Sequence, residues 1–312
     1  MKLNFGANRV RPQADPFIFE DGGRYYIYVT GGRGVEAYSS DAILGEWHYE
    51  GIVLTIGSYT DYWAPCIVKV GEWYHIYTSC SGEGMFEFLH TARAPSPLGP
   101  FGEPKRLFDR FSIDAHVVQT SAGLFLWYAE DNTDTDRIGT RVFVDRLIDP
   151  YTPEYKPAEV IVPTFDEEIF MRNRLGDGRD WHTIEGAFWF EEEGWQYVMY
   201  SGACYQNDTY HIGYCSAKSG EGDPRKVDFI KHTDNGAFDP LMTKNGYEEG
   251  VGHNSVIKIT GSSELADGYY AVYHARDIVP ECDMPGDRRT ARICRLHVKD
   301  GVITAERHED RV

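Results

Sequence analysis

Three acidic residues, Asp15, Asp114 and Glu185, each lead an apolar run in this chain. The runs are Asp15-Pro16-Phe17-Ile18-Phe19, Asp114-Ala115-His116-Val117-Val118 and Glu185-Gly186-Ala187-Phe188-Trp189-Phe190. An acid is a costly opening for a segment entering a packed core, because moving an ionised carboxylate away from water costs several kcal/mol unless it is paired or neutralised. If the three meet, they cannot all ionise comfortably: each negative neighbour raises the pKa of the next, and burial pushes the same way. One proton is then retained near neutral pH beside an ionised carboxylate. Cleavage of a glycosidic bond needs that combination, a general acid for the leaving oxygen and a base or nucleophile on the opposite face.

What would bring them together is an internal repeat. Two further segments share the pattern of a special residue, a small residue or proline, an apolar run and a turn: Ala64-Pro65-Cys66-Ile67-Val68 and His253-Asn254-Ser255-Val256-Ile257. The leading positions 15, 64, 114, 185 and 253 are separated by 49, 50, 71 and 68 residues. Each is followed, after a Gly-containing turn, by an aromatic-rich run such as Tyr25-Tyr26-Ile27-Tyr28-Val29 or Tyr269-Tyr270-Ala271-Val272-Tyr273. A third and a fourth short segment complete each unit, the fourth unit ending on Lys226-Val227-Asp228-Phe229-Ile230. Four short strands per unit, five times over, without sustained helical periodicity, predict an all-β chain folded as a five-bladed propeller over 1–312. The first strand of each blade lines the axis, so Asp15, Ala64, Asp114, Glu185 and His253 are expected to converge at one mouth. Residues 163–182 and 276–289 are longer than hairpins need, which suggests binding loops.

Composition narrows the partner. With 31 basic and 49 acidic residues the formal charge is −18, which repels nucleic acid and anionic membranes and suits a neutral ligand. Met1 leads directly into Lys2-Leu3-Asn4, and the chain holds no apolar run of signal-peptide or transmembrane length, so a cytoplasmic location is expected. The six cysteines, 66, 80, 204, 215, 282 and 294, form no CxxC pair and mostly fall inside apolar runs, as buried thiols do. The sequence leaves the oligomeric state open.

The motifs together resemble glycoside hydrolase family 43, the five-bladed arabinanases, arabinofuranosidases and xylosidases, over nearly the whole chain. Ala14-Asp15-Pro16 followed by Tyr25-Tyr26 resembles the family's opening motif, whose Asp is the general base. Trp63-Ala64-Pro65 is similar to its second-blade segment, which contributes a sugar-stacking aromatic. Ile113-Asp114-Ala115 matches the carboxylate that tunes and orients the acid, and Glu185-Gly186 matches the acid itself, with Ala187 where the family usually has Pro. Gly252-His253-Asn254-Ser255 and Tyr273-His274-Ala275 are similar to the fifth-blade signature, and Arg289 falls where the family places a sugar-binding arginine. The resemblance also implies that His253 can sit at an axial metal, usually calcium, and that no organic cofactor is needed.

These readings imply an inverting hydrolase in which Asp15 activates water, Glu185 protonates the departing oxygen and an ionised Asp114 holds Glu185 protonated. Removal of terminal α-L-arabinofuranosyl units from small arabino-oligosaccharides is expected if the two long loops wall a pocket. β-D-xylosidase and endo-arabinanase action remain alternatives within the family, and a non-catalytic sugar-binding propeller outside it. Each residue also has a plainer reading: Asp15 before Pro16 as a turn residue, Asp114 as a hydrogen-bond acceptor, Trp63 as core packing, and Arg288 or Arg292 in place of Arg289.

Overall fold

The computed structural model describes residues 1–82, 86–280, 284 and 286–307. Five blades of antiparallel strands follow one another along the chain, their strands neighbouring in chain order; the third and fourth share one ten-stranded sheet, and Thr233–Asp234 with Ala237–Phe238 form a separate two-stranded one. The first holds strands Phe17–Asp21, Arg24–Val29, Val35–Ser40 and His48–Leu54. The second holds Thr60–Val70, Trp73–Ser81, Glu87–Ala94 and Gly102–Arg106. The third and fourth begin at Ile113–Thr120 and Trp181–Glu192, and the fifth spans Glu248–Ile259 to Val302–Glu306. A short parallel pairing of Gly139 with His182 and Thr140 with Thr183 joins the third blade to the fourth.

Closure into a ring is visible in the core. A β-sheet must bury an apolar face against another element, and here each sheet buries one against the next. Tyr28, Val35 and Tyr62 pack with Ile76 between blades one and two, and Tyr77 with Leu126 and Tyr128 between two and three. Trp127 packs with Ile184 and Val198 between three and four, and Tyr197 and Met199 with Ala271 and Tyr273 between four and five. Ile27 and Trp47 with Val272 and Ile293 close the circle from five back to one. The aromatic second strands supply most of this packing: Tyr28, Tyr77, Tyr128, Tyr197 and Tyr273 are all buried.

The N-terminal segment laces the closing seam. Leu3 donates its amide to Ala291 O and Ile293 donates to Met1 O, while Trp47 donates to Asn4 O, so one segment bonds both the fifth and the first blade. Ser255 reinforces the seam lower down, accepting from the Ile18 amide at 2.9 Å and donating to Pro16 O at 2.8 Å.

One strand differs from expectation. The fourth strand of blade four covers only Ile230–Lys231. Asp223 accepts from the Arg225 amide, and Pro224 starts a 3-10 turn over Pro224–Lys226 where the strand was expected to begin. Cys66, Cys80, Cys204, Cys215 and Cys294 are free and buried as expected, and Cys282 lies outside the described residues. Among the described residues no helix is long and apolar enough to cross a membrane.

Candidate active site

Each blade has a left-handed residue in or just before its inner strand at the repeated position: Asp15 (φ 53°), Ala64 (φ 41°), Asp114 (φ 61°), Gly186 (φ 61°) and His253 (φ 46°), with Asp61 (φ 54°) and Gly250 (φ 59°) as additional left-handed residues in blades two and five. Left-handed backbone in a non-glycine residue costs of order 1–3 kcal/mol and persists where the surroundings enforce it, typically at functional sites. The strand registers slip beside these points in blades two, four and five, as bulges do. The structural repeat therefore falls on Gly186 rather than Glu185. In blades one, three and five the left-handed residue itself, Asp15, Asp114 or His253, reaches the pocket, whereas in blades two and four its predecessor does, Trp63 or Glu185.

These five side chains line one cavity of about 110 Å³ with Thr30, Ile113, Tyr205, Tyr210 and Arg289. The expected convergence of the acids is thus observed. Ala64 sits differently: it is buried and lines the small axial space beneath the carboxylates, and its amide donates to Thr30 Oγ1 at 2.9 Å. Its contribution to the cavity is a placed hydroxyl, since Thr30 in turn donates to Asp15 Oδ2. Trp63 is 39% exposed, which removes the core-packing reading.

Asp15 is held as an anion. Burial alone would raise its pKa, but the Arg289 guanidinium overcomes this and holds the carboxyl well below the usual range. Arg289 Nη1 donates to Asp15 Oδ1 at 3.0 Å, and its other nitrogens grip Asp287, so Arg289 rather than Arg288 or Arg292 enters the site. Arg292 instead pairs with Glu248 and Asp277. The Asp15 amide donates to His274 Nδ1 at 3.1 Å. That fixes His274 as neutral there, consistent with a pKa lowered to about 4 by burial and Arg289.

Glu185 and Asp114 behave oppositely. Burial, then the charge of Asp15, raises Glu185 to about 7 despite a hydrogen bond donated by Tyr210 at 2.7 Å. Burial also raises Asp114 well above its usual range, with the charges of Glu185 and Asp15 adding, although the Gly186 amide donates to its Oδ2 at 3.0 Å. The shift of Asp114 runs in the same direction as that of Glu185, against the direction expected of a carboxyl that stays ionised. Its cause is the burial of Asp114, which penalises the anion as much as repulsion does.

His253 is neutral, its pKa lowered by burial more than Asp15 raises it. Nδ1 lies 3.6 Å from Asp15 Oδ1 and 3.8 Å from Asp114 Oδ2. As a calcium site this is thin. Calcium takes six to eight oxygen ligands, Asp15 is already engaged by Thr30 and Arg289, and the described residues contain no cluster of three or more His, Cys, Asp or Glu suited to a metal. The residues present do not fit calcium, and the chemistry below uses none.

Among the described residues the long loops give the cavity a single side chain. None of 163–182 lines it, and of 276–289 only Arg289 does among the described residues. Residues 163–182 are instead tied down at the junction of blades three and four. Glu168, fully buried, accepts from the Thr164 and Phe165 amides and pairs with Lys231 Nζ at 2.7 Å. Arg137 bonds Asp166 and His182, both at 2.8 Å. The loop that does reach the cavity is 203–210, through Tyr205 and Tyr210.

A chain of this architecture, with three carboxyls lining a single cavity, can be placed among known proteins. The model of glycosyl hydrolases family 43 matches residues 10–303. The chain belongs to this family. A thermostable family-43 glycoside hydrolase of known structure is 28% identical, with a TM-score of 0.76 over 94% of this chain and 92% of that one. Arabinan endo-1,5-alpha-L-arabinosidase C of Emericella nidulans is 25% identical over 83% of this chain and 82% of its own. The alpha-L-arabinofuranosidase of Lactobacillus brevis, at 19% identity, shares the fold with a TM-score of 0.73 over 94% and 93% of the two chains. As a family 43 glycoside hydrolase, the protein carries Asp15, Asp114 and Glu185 in one cavity.

Proposed function

We propose that this glycoside hydrolase cleaves α-L-arabinofuranosyl linkages with inversion, releasing terminal arabinofuranosyl units from arabino-oligosaccharides. The observation that carries the reading is the asymmetry of one cavity: Arg289 Nη1 at 3.0 Å stabilises Asp15 as an anion, while burial raises the pKa of Glu185, to about 7, and that of Asp114. In this reading Asp15 accepts a proton from a water whose oxygen bonds to the anomeric carbon. Glu185 gives its proton to the glycosidic oxygen as the bond between that oxygen and the anomeric carbon breaks. The products are a sugar hemiacetal and the freed alcohol, and a proton must pass from Asp15 back to Glu185 through solvent before the next turnover. Acid and base assistance are each worth about 10² to 10⁴ in rate. Trp63 offers an exposed ring face to the bound sugar.

A second reading is endo cleavage of arabinan. It is favoured by the name of the Emericella relative and by the cavity lining, which owes nothing to residues 163–182, so the wall expected to close the pocket is not supplied by that loop. Linear arabinan and end-labelled arabino-oligosaccharides separate the two. Monomer released from one end supports the proposal, and early accumulation of mid-length oligosaccharides overturns it. Proton NMR of the first product from nitrophenyl α-L-arabinofuranoside reads the anomer, and retention would remove the inverting mechanism. Nitrophenyl xyloside is the control for the sugar.

A further inference from the structure

Two large aromatic rings in the cavity remain open to solvent, Trp63 at 39% and Tyr205 at 36% exposed. They arise from blades two and four, and Glu185 lies on the blade of the second. Tyr205 belongs to the loop whose Tyr210 hydroxyl grips Glu185, so one short segment carries both the acid's hydrogen-bond partner and an open aromatic face. The departing group of the proposed reaction must lie against the acid that protonates it.

The loop is built to hold this ring still. Arg276 donates from Nη1 to Tyr205 O at 2.6 Å and from Nη2 to Asn207 O at 2.8 Å, clamping two turns of backbone at once. Arg276 can pass there because residue 250 is glycine: a Cβ at Gly250 would stand 2.4 Å from its guanidinium, on backbone already at φ 59°. Ala203, at φ 73°, sets the bend that starts the loop. From inside, the Arg289 guanidinium lies 4.7 Å from the Tyr205 ring centroid, so one side of the ring rests on the cation that holds Asp15. An exposed aromatic side chain held by a clamped backbone and a buried cation is a preorganised platform, which binds a sugar without first losing loop freedom.

We propose that Tyr205 is the stacking platform for the leaving group and selects glycosides whose departing alcohol is itself a sugar ring. This rests on the reading of Glu185 as the proton donor to that alcohol, and it assigns a residue to the second sugar: one ring near Trp63 and the next on Tyr205.

The test compares kcat/KM for an α-L-arabinofuranosyl disaccharide and for methyl α-L-arabinofuranoside, whose leaving group has no ring to stack. The ratio of the two is the readout. Tyr205→Ala is expected to lower the ratio about five- to tenfold, the usual scale of a lost aromatic contact, and Tyr205→Trp to keep it within about twofold. An unchanged ratio in Tyr205→Ala, with both substrates slowed alike, overturns the proposal, because Tyr205 would then act only through Arg289 and Asp15. A variant that fails to fold is recognised by its Tm, and Tyr205→Leu then carries the same comparison. If the wild-type protein proves inactive on arabinofuranosides, the function proposed above fails separately. The ratio is then read with the disaccharide and methyl glycoside of the pentose it does cleave.

Discussion

The Tyr210 hydroxyl donates to Glu185 Oε1 at 2.7 Å, from a ring that is itself almost wholly buried and stacks on His274 with planes 6° apart. Through that stack the acid side of the cavity is coupled to the imidazole that receives the Asp15 amide. The hydrogen bond favours the ionised carboxylate, so it lowers a pKa that burial has pushed up. In the proposed mechanism activity requires the protonated acid and is lost as pH rises through about 7. Tyr210→Phe keeps the ring and removes the bond, so the alkaline limb of the kcat/KM profile should move to higher pH while the acidic limb, set by Asp15, stays. A limb that moves downward or does not move contradicts the assignment of Glu185 as the acid.

The roles of the two outer carboxyls separate by leaving group. Glu185→Ala removes the proton donor, so hydrolysis of natural linkages should fall by about 10² to 10⁴, while substrates with good phenolic leaving groups, which need little protonation, lose far less. Asp15→Asn removes the base and should slow both kinds about equally. Equal damage to every substrate by Glu185→Ala would refute the acid role.

Glu168 and Lys231 give a prediction about what the long loop does not do. Removing one partner of a buried ion pair leaves an uncompensated charge and typically costs about 3–5 kcal/mol. Glu168→Ala should therefore lower Tm by several degrees. Because none of 163–182 lines the cavity, KM for methyl α-L-arabinofuranoside should stay within about twofold of wild type at temperatures where the variant is folded. A large rise in KM would mean that the loop reaches the bound sugar after all.

Why the acids were legible in the chain and their partners were not follows from where each stands. Asp15, Asp114 and His253 occupy a repeated position at the head of an apolar strand, with Glu185 one residue before it, and a pattern repeated five times is visible in the chain. Thr30, Tyr205 and Tyr210 stand at strand ends or in a turn, where no periodicity marks them, and only the folded ring brings Thr30 to Asp15 and Tyr210 to Glu185. The offset in blade four escaped for a physical reason too. The phase is carried by backbone φ, and Glu185-Gly186 satisfies it with the glycine, so aligning the acids by type sets blade four one residue out. Loop length misled as well. Residues 163–182 are long because they anchor a seam, whereas the loop that enters the cavity is the shorter 203–210.

Gly186 provides the sharpest test of that backbone phase. Its φ of 61° matches those of Asp114 and Asp15, so a side chain here is strained but not forbidden, at a cost of order 1–2 kcal/mol. The added methyl has a second consequence. A Cβ at Gly186 would lie 3.2 Å from His253 Nδ1 and 3.3 Å from Cε1, tight enough to push the ring. On its other side His253 Nδ1 faces Asp15 and Asp114 at 3.6 and 3.8 Å, so a displaced ring moves toward the carboxyls or draws the Gly186 amide off Asp114. Gly186→Ala is therefore expected to lower Tm by about 2–6 °C and to lower kcat more than it raises KM, since the strand bearing Glu185 shifts while Trp63 and Tyr205 stay in place. Thermal unfolding with steady-state kinetics on one substrate measures both. Wild-type kcat with a lowered Tm would show that His253 has room to yield, and wild-type values of both would show that blade four does not need its left-handed residue.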